Sequence, residues 1–191
     1  MDEFGAKLTT FDSEEWVQVK NPGGKFLKKV WTTKPVMESD VIVSLPKLKT
    51  HDIMLYTGAI KNFLGIVPGK HKSRYHQVSK TVGKMGDMLV DLFGYVKPKL
   101  AVMDGIVGME ENGPIDGPLR NIGIIAASTD SVALDAVCSS VVNYDPMEIP
   151  TTRIAAGRKL GVADMDKIEV LGEKIDDVKI RDFKRPTRGG W

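Results

Sequence analysis

Short apolar runs rich in β-branched residues recur along this 191-residue chain. The clearest runs are 41–45 (Val-Ile-Val-Ser-Leu), 100–103 and 121–127. A run that is apolar on both faces is typical of a strand inside a sheet with helices on either side. Between the first two runs, apolar residues of 73–96 recur every three or four positions, which predicts the longest helix. The pattern therefore predicts one α/β domain with a mainly parallel or mixed sheet flanked by helices.

The other segments give weaker patterns. Residues 1–37 are weakly patterned and predict two short strands around a turn at 21–24. Residues 53–64 predict a helix or compact loop, and the glycines and prolines of 105–120 predict a loop. Further elements are expected as follows: a helix capped by Ser128 or Asp130, a helix over 149–160, a strand over 167–171, and a loose basic tail over 183–191.

Composition restricts the class of protein. No apolar run approaches the roughly 20 residues that span a bilayer, and the N-terminus lacks a basic-then-apolar signal, so we expect a soluble, cytoplasmic protein. The single cysteine, Cys138, excludes an internal disulfide and any four-cysteine iron–sulfur or zinc site carried by this chain alone. We expect Cys138 to be inert packing within a helix.

The formal net charge of +2 conceals a division of the chain. Residues 41–99 carry ten basic and three acidic side chains, whereas residues 100–150 carry one basic and eight acidic side chains. All three histidines lie in the basic part. The division is explained equally well by two solvated faces that neutralise each other and by a site with charged walls.

Polar side chains follow each of the three apolar runs. The first run leads into 46–51 (Pro-Lys-Leu-Lys-Thr-His), the second into 104–112 and the third into 128–130. In an open α/β sheet, ligands bind beyond the carboxyl ends of the strands. The sequence therefore predicts that a cationic loop and two acidic loops meet at one edge of the sheet.

The cationic segment predicts a site for a small phosphate- or carboxylate-bearing anion, since lysines pair with both groups. We expect Lys47, Lys49 and Lys61 to hold the anion and His51 to act as general acid–base. Supporting hydrogen-bond donors are Thr57 and Asn62, and Lys70 is a further cation. Acidic and amide oxygens come from Asp104, Glu110 and Asn112. His76 is a candidate metal ligand. The acidic and amide oxygens are also the ligands that a divalent cation such as Mg²⁺ prefers.

Taken together, five segments resemble the uncharacterised "domain of unknown function" family three-six-two. They are Ser-Leu-Pro-Lys-Leu-Lys-Thr-His at 44–51, Thr-Gly-Ala-Ile-Lys-Asn at 57–62, Pro-Gly-Lys-His-Lys at 68–72 with His76, Met-Asp-Gly-Ile-Val-Gly-Met-Glu-Glu-Asn-Gly-Pro at 103–114, and Ser-Thr-Asp-Ser-Val-Ala-Leu-Asp-Ala-Val at 128–137.

The resemblance covers residues 38–173 and implies association with iron–sulfur ferredoxin modules, whose cluster ligands would come from a partner. Members of that family usually begin with a further α/β portion containing Lys-Pro-Asn. That stretch does not occur here, which indicates a shortened member or a piece of a longer protein.

A second resemblance covers only about 40 residues, which include 51–76. This part is similar to the lactate racemase family, which uses a nickel-pincer nucleotide. In that family a histidine is the acid–base catalyst, a lysine holds the cofactor covalently and a later histidine ligates nickel. The matching residues here are His51, Lys61 and His76. The resemblance implies a shared ancestral fold and makes Lys61 a candidate catalytic residue.

Three functions remain open at this point. The leading hypothesis is an enzyme-like domain that binds a small anion, with Asp104 completing the catalytic group. The alternatives are a non-catalytic assembly module that self-associates, and a racemase-like acid–base enzyme with a metal cofactor. Nucleic-acid binding is not expected, because the basic residues interleave with the apolar stripe of the predicted helix.

Overall fold

The computed structural model describes residues 4–187. The strands are β1 (Trp16–Lys20), β2 (Lys29–Thr33), β3 (Val43–Ser44), β4 (Lys47–His51), β5 (Leu55–Thr57), β6 (Leu100–Met109) and β7 (Leu119–Ser128). The α-helices are α1 (Lys34–Glu38), α2 (Ala59–Asn62), α3 (Gly69–Val78), α4 (Val82–Val96), α5 (Ser131–Val141), α6 (Pro150–Gly157) and α7 (Ile175–Val178).

The central sheet is mixed, and the α/β prediction is confirmed. Strands β3, β4 and β6 run parallel to one another, while β5 pairs antiparallel with β4 and β7 pairs antiparallel with β6. The long β6 pairs with β3 through its first residues and with β4 through its later ones. Strands β1 and β2 form the separate antiparallel hairpin that the sequence predicts.

The strand predicted over 41–45 is shorter than expected, and the segment predicted as a cationic loop is itself a strand. Strand β3 contains only two residues, and Pro46 separates it from β4, because proline has no N–H to donate to a ladder. In β4, exposed or partly buried lysines alternate with the buried Leu48 and Thr50. This alternation of period two is that of a strand with one open face.

The prediction that three strand ends meet at one edge is wrong. Strand β6 continues to Met109, so the first part of the predicted 105–120 loop is strand, and β7 returns antiparallel to it. The acidic residues after β7 therefore lie at the opposite end of the sheet from His51. There Asp130 caps α5 by accepting hydrogen bonds from the N–H groups of Val132 and Ala133, as the sequence predicts.

Two further elements differ from the sequence prediction. The helix predicted over 73–96 is divided into α3 and α4 at residues 79–81. At the break, the Ser79 hydroxyl donates to the Tyr75 carbonyl, and the Thr81 hydroxyl accepts from the Lys84 N–H to begin α4. The strand predicted over 167–171 does not form, because this segment makes no ladder with β7.

Helix α5 covers one face of the sheet, and the other face is open. Leu48 and Met103 pack against Leu134 and the buried Cys138 in a common core. On the opposite face, Val43, Ile106 and Ile125 are 48%, 50% and 65% exposed. We call this the open face of the sheet. No helix of the described residues is long and apolar enough to cross a membrane.

The N-terminal hairpin is attached to the helices through Asp91 of α4. Its carboxylate, which has no exposed surface, accepts hydrogen bonds from the backbone N–H groups of Lys25, Phe26 and Leu27 at 2.8, 2.7 and 2.6 Å. Arg158, at the end of α6, donates to the same carboxylate at 2.6 Å. One buried side chain thus holds the loop before β2 and two helices together.

The described part of the predicted loose tail is held in place. Phe183 is buried, and the Arg185 guanidinium lies 4.5 Å from the centre of the Tyr144 ring and forms an ion pair with Glu148. Residues 183–187 therefore pack on the domain through apolar and cation–π contacts. Residues 188–191 of that prediction lie outside the described part.

Candidate functional site

The candidate site begins with the register of β4 and β5. Lys49 lies directly opposite Thr57, and His51 lies opposite Leu55. Because side chains alternate along a strand and opposite residues share a face, Lys49, His51 and Thr57 lie on one face of the sheet, where His51 and Thr57 are buried. Their neighbours Leu48 and Tyr56 point the other way, into the core beneath α5.

Lys61 lies on α2, which begins two residues after β5, within electrostatic reach of His51 and Lys49. The position of α2 is fixed by Asp135 of α5, whose buried carboxylate accepts hydrogen bonds from the N–H groups of Ala59 and Ile60 at 2.6 and 3.0 Å. Burial raises the pKa of Asp135 to about 7, and the two N–H donors oppose that rise. A carboxylate 75 residues away along the chain therefore caps the helix that carries the site lysine.

Gly58 leaves room for this cap. A Cβ added there would meet the Asp135 carboxylate and the Tyr56 ring. We expect Gly58→Ala to lower the free energy of unfolding by about 1–3 kcal/mol, because overpacking must displace buried groups. Chemical denaturation checks this, with Gly65→Ala as the control, since no atom lies within 4 Å of a Cβ at Gly65. Equal stabilities of the two variants would contradict the packing argument.

His51 is held as a neutral hydrogen-bond donor. Its Nδ1 atom lies 3.2 Å from the backbone N–H groups of both Ile53 and Met54 and accepts from them. Burial, followed by the charges of Lys61, His76 and Lys49, lowers the pKa of His51 to about 3. The neutral ring then carries its proton on Nε2. The nearby Asp52 oxygen, 3.0 Å from Nδ1, therefore forms no ion pair with it.

This state differs from the general acid–base role expected for His51. A ring whose Nδ1 accepts from the backbone and whose Nε2 keeps its proton donates a hydrogen bond but does not exchange a proton near neutral pH. The Nε2–H group of such a ring can donate a hydrogen bond to an oxygen atom.

Lys61 is a partly buried cation without a carboxylate at ion-pairing distance in the described part of the chain. Burial and the charge of Lys49 lower the pKa of its amine to about 8, and Asp52 only partly offsets them. His76 of α3 also lies within electrostatic reach of Lys61, and burial, followed by that lysine charge, lowers the pKa of His76. Two lysines and two neutral histidines thus share one small region.

The Thr57 hydroxyl completes the group. Thr57 is 8% exposed, and its Oγ1 atom is buried without a hydrogen-bond partner among the described residues. A buried polar atom without a partner has a free-energy cost that a bound hydrogen-bonding group would remove. We call Lys49, His51, Thr57 and Lys61 "the anion site" below, after the class of ligand that the sequence predicts.

Several sequence candidates lie beside the anion site, with other partners. The Lys47 amine donates to the Asp104 carboxylate at 2.7 Å, and this hydrogen bond is the main reason that the pKa of Asp104 is lowered. The Asn62 amide donates to the Ser44 hydroxyl at 3.0 Å. Lys70 is exposed in the first turn of α3.

The predicted ligands Glu110 and Asn112 contact the C-terminal segment. Glu110 accepts from the Lys184 N–H at 3.1 Å, and Asn112 accepts from the Thr187 N–H at the same distance. Their loop still borders the anion site, because the Lys49 amine donates to the Pro114 carbonyl at 3.3 Å. These two side chains serve to dock residues 183–187.

The metal hypothesis for His76 has no support from its surroundings. Within residues 4–187, no group of three or more histidine, cysteine or carboxylate side chains could hold a metal ion. A stable site needs several such ligands at fixed geometry.

Sequence reasoning missed the function of Asp135. Its partners are two backbone N–H groups of α2, those of Ala59 and Ile60. The available signal was the isolated acid among apolar residues, which indicates that a buried donor must exist.

Comparison with known proteins agrees with the resemblance described above. The family described as "Domain of unknown function (DUF362)" matches residues 1–140. The chain belongs to the DUF362 family. Unlike the expected span of 38–173, the DUF362 match includes the N-terminal hairpin and ends within α5.

A curated DUF362-like relative is the "Thylakoid-associated protein sll1697" of Synechocystis sp. (strain ATCC 27184 / PCC 6803 / Kazusa). It is 41% identical over 131 residues, which make up 68% of this chain and 40% of that protein. The chain thus spans less than half the length of this relative. No solved structure matches the chain.

Proposed function

We propose that this DUF362 chain binds a small phosphate- or carboxylate-bearing anion at the anion site. Lys49 and Lys61 supply positive charge, His51 Nε2 donates a hydrogen bond, and the Thr57 hydroxyl supplies a further donor. All four groups present N–H or O–H donors, which is the chemistry that an oxyanion requires.

The observation that carries this proposal is the charge of Lys61. Asp104 neutralises Lys47 at 2.7 Å, whereas Lys61 has no comparable partner among the described residues and lies beside a second lysine. Bringing two cations together without a counter-ion is unfavourable in the free protein. An anion that binds between them reduces this repulsion and gives the Thr57 hydroxyl a hydrogen-bond partner.

Other parts of the sequence hypothesis are not required by this site. A ferredoxin-type partner, a cytoplasmic location, an assembly role and a racemase-like reaction stay predictions. The family name describes no ligand, so the proposal rests on the side chains of the anion site.

Calorimetric titration with inorganic phosphate tests the proposal. We expect Lys49→Met, Lys61→Met and Thr57→Val each to weaken binding by about tenfold or more, because a hydrogen bond to a charged group contributes about 1.5–3 kcal/mol. The exposed Lys80 lies outside the site, so Lys80→Met is the charge-matched control and retains the affinity of the wild type.

Thr57→Val separates binding from folding. Because the Thr57 hydroxyl is unpaired in the free protein, its replacement by a methyl group of similar volume should leave the free energy of unfolding unchanged or higher. The proposal would be overturned if wild type, Lys49→Met and Lys61→Met bound phosphate with equal affinity. It would also be overturned if the wild type bound neither phosphate nor acetate.

A further inference from the structure

We propose that Lys61 is a nucleophile that forms an imine with a carbonyl-bearing anion, such as an oxo-carboxylate, held in the anion site. This inference rests on the proposed function and extends it from binding to a class of ligand. The carboxylate would lie on Lys49, and the carbonyl carbon would face the Lys61 amine.

The placement of Lys61 suits nucleophilic chemistry in addition to the binding of an anion. A lysine attacks only as the neutral amine, and enzymes obtain that form by burying the lysine or by placing a second cation beside it. Lys61 meets both conditions, since it is partly buried on α2 and lies within electrostatic reach of Lys49 of β4. With its pKa at about 8 instead of 10.5, the fraction of neutral amine at pH 7 rises on the order of a hundredfold.

The other two groups of the anion site match the oxygen of the carbonyl. His51 is fixed as an Nε2–H donor by the bonds from Ile53 and Met54 to its Nδ1 atom. The second donor is the Thr57 hydroxyl, which has no hydrogen-bond partner among the described residues. Neutral donors of this kind stabilise the negative charge that develops on a carbonyl oxygen under attack.

The proposed step balances without any further reactant. The Lys61 nitrogen lone pair forms a C–N bond to the carbonyl carbon, and the carbonyl oxygen takes up the proton that the nitrogen releases, giving a carbinolamine. Loss of the second N–H proton and breakage of the C–O bond then release one water and leave a C=N double bond. No oxidation or reduction occurs.

Reductive trapping tests the step. The full chain is incubated at pH 7 with glyoxylate and cyanoborohydride, which converts an imine to a stable carboxymethyl amine, and the modified lysine is located by peptide mass spectrometry. We expect Lys61 to be labelled at least about tenfold faster than the exposed Lys80, and inorganic phosphate to protect it. Lys49→Met should slow labelling of Lys61, because it removes both the neighbouring charge and the carboxylate partner.

Lys61→Arg separates this inference from anion binding. The variant keeps a positive charge, so we expect it to bind acetate, the matched anion without a carbonyl group, and to lose the rapidly formed adduct. If the wild type binds acetate at the anion site but glyoxylate labels Lys61 no faster than Lys80, the imine is excluded and the anion site remains. If the wild type binds neither acetate nor phosphate, the proposed function fails as well.

Discussion

Asp91→Ala is expected to lower the free energy of unfolding by about 3–5 kcal/mol, the largest effect of any single substitution considered for this chain. The substitution removes the acceptor of three backbone N–H groups and leaves Arg158 with one of its two carboxylate partners. Donors that lose their acceptor in a buried place lose their protein bond without regaining water. Urea denaturation, followed by circular dichroism, measures the loss.

Asp87→Asn is the matched control. Asp87 lies one turn before Asp91 and also pairs with Arg158, but its other partner, Lys25, has a side chain that is 71% exposed. We expect this variant to lose about 1 kcal/mol, the range of ion pairs in contact with solvent. If Asp91→Ala does not fold, Asp91→Asn, which keeps one acceptor oxygen, supplies an intermediate value. Equal effects of Asp87→Asn and Asp91→Asn would contradict the clamp role of Asp91.

His51→Asn is expected to change how stability depends on pH between pH 6.5 and pH 3. The pKa of His51 is about 3 in the fold, against an ordinary value of 6.5. Within this window the unfolded chain binds a proton that the folded chain does not, so the free energy of unfolding falls as the pH falls. Between pH 6 and pH 4 the loss is about 2–3 kcal/mol.

Asp135 acts in the opposite direction over much of the same window. Its pKa is raised to about 7 from an ordinary 3.8, so the folded chain binds the extra proton and stability rises as the pH falls from 7 to 4. The two contributions nearly cancel in the wild type. The effect of His51 is therefore visible in the difference between wild type and variant.

The measurement is urea denaturation of the wild type and of His51→Asn at pH 6, 5 and 4. Asparagine keeps an acceptor for the Ile53 and Met54 N–H groups but does not titrate, so the variant should gain about 2–3 kcal/mol relative to the wild type from pH 6 to pH 4. A difference that is independent of pH would show that His51 titrates normally in the fold.

The sequence predicts the class of fold because each buried strand or helix shows its apolar pattern within a short stretch of chain. The β1–β2 hairpin and the cap of α5 at Asp130 were predicted correctly for this reason. Strand directions depend instead on contacts between distant segments. The β6–β7 hairpin was missed because its polar, glycine-rich connection reads as a long loop, and β4 was missed because its lysines mask a strand with one open face.

The lysines and histidine of the anion site were identified from sequence, but their chemical states were not. The neutral state of His51 depends on two backbone N–H groups that follow it in a tight turn, which residue types do not reveal. The position of Lys61 depends on Asp135, far along the chain. Glu110 and Asn112 matched the expected residue types, yet their partners come from residues 184 and 187.

The cap that Asp135 places on α2 also defines the smallest piece of this protein in which the anion site can exist. All four residues of the site lie between positions 49 and 61, and a fragment that stops after α4 would contain every one of them. In such a fragment the first N–H groups of α2 would lack their acceptor, and a four-residue helix does not persist on its own. During synthesis, therefore, all four residues of the site are made long before they can assemble into it. Lys61 reaches its place only after α5 has been made and has docked.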